Sequence, residues 1–150
     1  MRIVARQLGL EELITVLSRE HQEQRKRLSD LIEALQRKEF ERGAQLATEF
    51  DNSSIQHIVD EENVLLKLFI DTYGRKGADE AIKVFHQHRT MHSLADAISK
   101  QALTSPENLA SAPSDFDNLV RSHFEAEEKR IFPWALKTLG TNRKEESRTD

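Results

Sequence analysis

Residues 10–38 read LEELITVLSREHQEQRKRLSDLIEALQRK, and the spacing of their apolar side chains decides the fold. These side chains recur at steps of three and four residues, the period of one face of an α-helix. Two polar residues, His21 and Gln24, interrupt the apolar face near its middle. The pattern predicts a long amphipathic helix, segment A, whose stripe is Leu10, Ile14, Leu17, His21, Gln24, Leu28, Leu31 and Leu35.

Segments B and C continue the same period. Gly74 and Gly77 act as stop signals for segment B, residues 41–73, whose face is Leu46, Phe50, His57, Glu61, Val64 or Leu65, and Leu68. Segment C begins after Gly77, with Asp79 and Glu80 in its first turn, where the helix dipole favours negative charge. The predicted stripe of segment C is Ile82, Phe85, His88, His92, Ala95 and Ile98.

Segment D follows a connection rich in Ser and Pro, residues 104–114. Ser114 is the expected N-cap, and Pro133 should kink or restart the helix near Phe132. The stripe of segment D is Phe116, Leu119 or Val120, His123, Glu127, Ile131 and Trp134.

The connections between these segments are mostly short, and the chain has only five Gly and three Pro. Four amphipathic helices with short loops predict an all-α fold, an antiparallel up-down-up-down four-helix bundle with a metal site in its core. We assign residues 1–140 to this bundle and residues 141–150, which contain no apolar residue, to a polar C-terminal tail.

Composition excludes several classes of protein. The chain has no Cys, which rules out disulfide scaffolds, zinc fingers and iron–sulfur clusters. A net charge of −4 gives no electrostatic case for nucleic acid as a partner. No apolar run is long enough to span a membrane, and the N-terminus lacks the apolar stretch of a secretion signal. We expect a cytoplasmic protein, a monomer or small homo-oligomer, with a small-molecule partner.

The polar residues that interrupt the stripes all fall near the middle of their helices. Helices of similar length that pack side by side have their midpoints at similar height, so these residues should meet in one layer of the core. Burying them without compensation would cost several kcal/mol for each carboxylate alone. Two divalent metal ions would supply the missing positive charge, held by His21, His57, Glu61, His88, His92, His123 and Glu127.

Spacing and an internal repeat support this metal site. Residues i and i+4 share a helix face, and the chain repeats a His-x3-Glu-Glu motif as HIVDEE, residues 57–62, and HFEAEE, residues 123–128. A second His precedes each motif, by 36 residues in the first half and 35 in the second. The repeat predicts a pseudo-twofold site with one bridging carboxylate from each half. His86 should face solvent, and surface or supporting roles remain open for Glu20, Glu62, Gln87 and Glu128.

A ligand set rich in imidazole, without thiolate and bridged by carboxylates, suits iron best, with manganese and zinc as alternatives. The Glu-x-x-His motif of ferritin-like bundles is absent, since the residue order here is reversed. Fewer carboxylates and more histidines favour binding of a small ligand over oxygenase chemistry.

Jointly, these motifs resemble the hemerythrin-like (HHE cation-binding) family over residues 10–139. The resemblance is carried by Glu20-His21, His57-x3-Glu61-Glu62, Gln87-His88-x3-His92 and His123-x3-Glu127-Glu128 followed by Ile131-Phe132-Pro133. It implies a four-helix bundle that encloses two iron ions in a non-haem di-iron centre and binds dioxygen.

The resemblance also implies a distribution of ligands. His88, His92 and His123 would hold one iron and His21 and His57 the other, with the second keeping a vacant position for dioxygen. Glu61 and Glu127 would bridge the irons, together with an oxo or hydroxo group. Oxygen carriers of the family have His-x4-Asp on the last helix, a spacing at which Glu128 would replace Glu127.

Three functions remain open from the sequence. The first is binding of dioxygen for storage, delivery or sensing, without turnover. The second is a redox or stress protein that handles peroxide or nitric oxide, or donates iron for repair. The third is iron sensing through folding, because loss of metal would leave the polar layer unsatisfied.

Overall fold

The computed structural model describes residues 3–138, and every regular element within that range is helical. The all-α prediction is confirmed, whereas the predicted tail at 141–150 lies outside the described residues. The helices are α1 (Leu10–Gln36), α2 (Phe40–Asp60), α3 (Lys67–Tyr73), α4 (Arg75–Thr104), α5 (Ala112–Ala126) and α6 (132–138). A π-helical turn, Glu61–Leu66, joins α2 to α3, and a second, Glu127–Ile131, joins α5 to α6. A short 3₁₀ turn, Pro106–Asn108, lies between α4 and α5.

Helix α1 presents the face that its sequence predicts. All eight residues of the segment A stripe are buried, including both polar ones, His21 and Gln24. The side-chain amide of Gln24 donates to the backbone carbonyl of Phe50 on α2 at 3.1 Å, so this buried polar group is satisfied. Helix α1 packs against α2 and α5, and α4 packs against α2, α3 and α5.

Apolar side chains form a cluster on each side of a polar layer. Along α1, Leu17 belongs to one cluster and Leu28 to the other, and His21 lies between them. The first cluster includes Leu10, Leu13, Leu65 and Phe132, and the second includes Leu31, Phe50, Ile98, Phe116 and Val120. The expectation that the polar residues meet at one depth of the core is confirmed for His21, His57, Glu61, His88, His123 and Glu127, all of which are buried.

The predicted register of segment C is wrong in part, since the segment buries His88, Ala95 and Ile98 as expected but not Ile82 or His92. Its buried face is Gly77, Ala81, Val84, His88, Met91, Ala95, Ile98 and Ala102, whereas Ile82 is 50% exposed. From Ala81 onward these residues alternate strictly between steps of three and four, the heptad spacing that keeps one seam facing its neighbours. The face therefore passes from His88 to Met91 and leaves His92 outside it.

The ends of two helices also differ from expectation. Helix α4 begins at Arg75, because the chain turns at Gly74 with φ 60°, a left-handed conformation that glycine adopts readily. Gly77 is therefore an interior residue and not a stop signal. Helix α5 begins at Ala112 and not after Ser114, with Pro113 in its first turn, where its missing N–H removes no helical hydrogen bond.

At the position near Phe132 where a kink or restart was predicted, the chain changes from π-helix to α-helix. The π turn ends at Ile131, and α-helix resumes at 132. Pro133 cannot donate to a carbonyl one turn earlier, which favours an irregular turn immediately before it. Each of the two π turns begins at the glutamate of a His-x3-Glu motif, Glu61 or Glu127.

Replacing Gly77 with alanine is expected to lower the free energy of unfolding by about 1–3 kcal/mol, the usual cost of overpacking. The added Cβ would fall on the backbone carbonyl of Phe69, which cannot move aside as a side chain can. Gly43→Ala is the matched control, since its Cβ would meet only the end of the flexible Leu35 side chain. Urea denaturation measures both variants. Equal stability of the Gly77 variant and the wild type would contradict the close approach of α3 and α4.

Candidate metal centre

Six side chains from four helical segments converge between the apolar clusters. Each is at most 5% exposed, and they fall into two overlapping groups of possible metal ligands whose atoms lie within 4.8 Å of one another. The first group contains His21, His57, Glu61 and Glu127, and the second contains Glu61, His88 and His123. Glu61 belongs to both groups, as a bridging carboxylate would.

The contacts of the two halves of the chain correspond closely. Nε2 of His21 lies 3.1 Å from Nε2 of His57, and Nε2 of His88 lies 3.2 Å from Nε2 of His123. Within each His-x3-Glu motif, the imidazole Nε2 approaches its own carboxylate, at 2.6 Å for His57–Glu61 and 3.1 Å for His123–Glu127.

Each carboxylate also reaches the other half. Oε1 of Glu127 is 3.3 Å from Nε2 of His21, and Oε2 of Glu61 is 3.8 Å from Nε2 of His88. Each glutamate therefore lies between one imidazole from the first half of the chain and one from the second half.

The opposite edges of three imidazoles are fixed by hydrogen bonds directed away from the centre. Nδ1 of His57 contacts Glu20 at 3.1 Å, Nδ1 of His88 contacts Glu62 at 2.9 Å, and Nδ1 of His123 contacts Gln87 at 2.6 Å. A carboxylate or amide oxygen only accepts, so Nδ1 carries the proton in each case. In a neutral imidazole Nε2 then presents a lone pair to the centre, the arrangement in which histidine binds metals.

Four buried polar atoms of the centre have no hydrogen-bond partner among residues 3–138. They are Oε1 and Oε2 of Glu61, Oε1 of Glu127, and Nδ1 of His21. The carboxylate oxygens lie near imidazole nitrogens without the geometry of a hydrogen bond, and leaving buried polar atoms without such bonds is costly. A cation among the four Nε2 atoms would satisfy these oxygens, so the donor set fits a metal ion.

Burial and neighbouring charges give His57 a different pKa from those of His21 and His123. Burial lowers the pKa of His21 to about 4, and the charge of His57 adds to this effect. Burial likewise lowers the pKa of His123 to about 4. Burial opposes charge on His57 too, but the carboxylate of Glu61 and the hydrogen bond to Glu20 outweigh it and raise the pKa of His57 to about 9.

Glu61 shows the complementary effect. Burial would raise the pKa of Glu61, but the charge of His57 outweighs it and lowers this pKa to about 2. The layer therefore combines neutral imidazoles with one buried imidazolium–carboxylate pair. A metal ion entering the layer would take the place of the proton of that pair.

His92 is not part of the centre. The predicted inward orientation of this residue is wrong, because its side chain is 65% exposed and its Nδ1 bonds Oδ2 of Asp51 at 2.7 Å on the surface between α4 and α2. The set of three histidines expected for one ion is therefore not assembled. His86 is exposed, as predicted.

His92→Ala and His86→Ala are both expected to leave metal content unchanged. Loss of the exposed His92–Asp51 pair should change the free energy of unfolding by at most about 1 kcal/mol. Metal analysis after purification without chelator, with urea denaturation in parallel, checks both variants. A lower metal content in the His92 variant alone would show that this imidazole turns inward to bind.

The structure shows the contacts of four residues for which the sequence left surface and supporting roles open. Glu20, Glu62 and Gln87 bond imidazoles directly, and Glu128 lies 3.8 Å from Nδ1 of His21. Arg25 binds Glu128 through two hydrogen bonds of 2.7 and 2.5 Å.

Sequence reasoning also missed Arg6 and Asp60, which bond each other beside the centre. Asp60 follows His57 by three residues, so helical spacing alone could have placed it on the inner face of α2.

Aromatic rings cover the first half of the centre. The ring of Phe124 stacks on His21 with centroids 4.0 Å apart, and Phe132 lies on it at 5.4 Å. These rings exclude water from the imidazole and contribute to its low pKa.

Comparison of the chain with protein-family models, with curated proteins and with solved structures found no match. Within residues 3–138, no helix combines the length and the apolar character needed to cross a bilayer.

Proposed function

We propose that this chain is an up-down-up-down four-helix bundle of the hemerythrin-like type, which holds two iron ions and binds dioxygen or a similar small ligand. The observation that carries the proposal is the orientation of the imidazoles: Nδ1 bonds outward in three of them, and all four Nε2 atoms meet the unsatisfied oxygens of Glu61 and Glu127. The motifs through which the sequence resembles that family supply all six of these side chains.

The pairing of the side chains favours two ions over one. His21 and His57 form one pair of ligands, and His88 and His123 form the other. Glu61 lies between His57 and His88, and Glu127 lies between His21 and His123, so each carboxylate is placed to bridge. Imidazole and carboxylate ligands without thiolate suit iron.

Two imidazoles and two shared carboxylates leave each ion short of a full octahedral set of ligands. When bound, iron would supply redox chemistry and open coordination positions for a small molecule. The surroundings favour an uncharged ligand, since Phe124 and Phe132 cover His21. A groove of about 420 Å³ between α2 and α4 is lined by the apolar Ile55, Ile58 and Val59 and by the charged Asp51, Glu62 and Arg89, as well as by His88.

Anaerobic reconstitution of the apo protein with iron tests this function. Metal analysis should give about two iron ions per chain, the content of a carboxylate-bridged di-iron site. Oxygen added and then removed should change the optical spectrum reversibly. Continuous consumption of peroxide would instead favour the redox function, and a stoichiometry near one, or zinc alone after iron supply, would contradict the di-iron centre.

A further inference from the structure

We propose that Arg6 is a positioning residue for one half of the metal centre, so that docking of residues 3–9 and binding of the ion at His21 and His57 strengthen each other. This inference rests on the metal centre proposed above. It concerns a segment that contributes no ligand and that precedes the first helix.

Arg6 connects this segment to the centre by two routes. Its Nη2 donates to Oε1 of Glu20 at 2.9 Å, and that same oxygen accepts from Nδ1 of His57 at 3.1 Å. Its Nε donates to Oδ2 of Asp60 at 2.6 Å, and its backbone N–H donates to Oδ1 of Asp60 at 2.9 Å. One guanidinium thus contacts the carboxylate that orients His57 and the carboxylate next to Glu61 in the chain.

Asp60 makes the second route energetically important. Its side chain is fully buried, and apart from Arg6 its hydrogen bond in the structure comes from the amide of Gln56, at 3.0 Å. Removing one partner from a buried ion pair is far more costly than removing one from an exposed pair. The backbone at the start of the first π turn, which carries Glu61, is therefore held in place partly by the N-terminal segment.

Comparison of the two halves shows that the contact with Arg6 belongs to one of them. Glu20 precedes His21 and bonds His57, while Gln87 precedes His88 and bonds His123. Gln87 is neutral and needs no counter-ion. Glu20 is charged and partly buried, and Arg6 neutralises it and holds its carboxylate against His57.

The rest of the segment is attached to the same helices. The side-chain amide of Gln56 donates to the backbone carbonyl of Val4 at 2.9 Å, and Leu8 packs on the apolar cluster that contains Leu10 and Leu65. Because binding free energies are reciprocal, an ion that needs Glu20 and Glu61 in place also favours the docked segment. The ion at His88 and His123 shares Glu61 but lacks the link through Glu20, so it should depend less on Arg6.

The test measures Co²⁺ affinity in two full-length backgrounds that each keep one pair of imidazoles. His88→Ala keeps the His21 and His57 pair, and His21→Ala keeps the His88 and His123 pair. Adding Arg6→Ala should weaken Co²⁺ binding about tenfold or more in the first background, the usual effect of losing a partner of a ligand, and less than about threefold in the second.

Two further variants separate positioning from a general loss of stability. The Co²⁺ affinity of the Arg6→Lys variant should lie between the affinities measured with arginine and with alanine at this position, since an ammonium lacks the fork that reaches Glu20 and Asp60 together. Arg121→Ala is the matched control. It removes an ion pair with Asp117 and a hydrogen bond to Ser29 on α1, but no contact with Glu20 or Asp60, and it should leave Co²⁺ affinity unchanged.

Amide hydrogen exchange provides a readout in the otherwise native chain. Co²⁺ should slow exchange in residues 3–9 of the wild type, and Glu20→Gln should abolish most of this protection. Two results would overturn the role of Arg6 while leaving the metal centre intact. One is an equal loss of Co²⁺ affinity in both backgrounds on Arg6→Ala, and the other is an exchange rate in residues 3–9 that does not change with Co²⁺. If the wild type bound no Co²⁺ and no iron, the proposed function itself would fail.

Discussion

Replacing Glu61 with alanine is expected to remove both of the metal ions proposed above. The two oxygens of this side chain face His57 and His88, which belong to different pairs of ligands, so its loss affects both ions together. No other side chain can take its place, because the first π turn fixes the backbone of Glu61 and directs Glu62 toward Nδ1 of His88. Metal analysis of the purified variant should give less than about a tenth of the wild-type iron, since loss even of a supporting residue costs 10–100-fold in affinity.

Glu125→Ala is the matched control for this variant. Glu125 is an exposed glutamate on α5 that pairs with Lys129, so its loss should leave the iron content at the wild-type level. We also expect the His92 variant to retain its iron. The loss of iron should therefore be far larger for Glu61→Ala than for His92→Ala or His86→Ala. Two ions retained after Glu61→Ala would exclude this carboxylate as a bridge.

Iron is expected to raise the thermal midpoint of unfolding by roughly 10–20 °C. A ligand at 100 times its Kd stabilises the folded state by about 2.7 kcal/mol, and each kcal/mol is worth roughly 2–4 °C in a chain of this size. Two ions bound at that level account for the expected shift. The apo protein should keep its helices, because the apolar clusters on each side of the polar layer persist without metal.

Circular dichroism melts with and without iron, under anaerobic conditions, measure this shift. Glu61→Ala should melt at the same temperature in both states, which separates binding at the centre from nonspecific effects of iron. Equal melts of the wild-type protein with and without iron would show that the buried layer is not a metal site.

Much of the fold followed from local spacing. In α1 the eight predicted positions are the inner face, since a long stripe at steps of three and four fits only one face of a helix. The repeated His-x3-Glu motifs identified four of the six side chains of the candidate centre, and the histidine that precedes each motif, His21 or His88, completed the set. Periodicity succeeds at these positions because both residues of each His-x3-Glu motif lie within the buried face; His88 and His92 have the same spacing, but only His88 lies within that face.

The same reasoning was wrong in part for α4, where the predicted stripe and the buried face share His88, Ala95 and Ile98 and differ elsewhere. One contained Ile82, Phe85 and His92, and the other contained Ala81, Val84 and Met91. The second faces the core, where Ala81 and Val84 pack with Leu66, and Met91 lies in the cluster that contains Leu28 and Phe50. Which face of α4 is buried depends on how the neighbouring helices pack around it, and the sequence of α4 alone does not specify that packing.

The sequence by itself indicated that four amphipathic segments form, that each has a polar interruption near its middle, and that the interruptions carry imidazoles and two carboxylates; it predicted five inward imidazoles, of which four are buried. These features depend on separations of three and four residues, within which helical geometry is set by the backbone alone. Only the tertiary structure decided that His92 lies outside, that Glu20, Glu62 and Gln87 bond the imidazoles, and that Arg6 reaches Glu20 and Asp60. Those contacts join residues that are 14 to 54 positions apart, so the rotation and spacing of packed helices, and not local periodicity, determine which of them form.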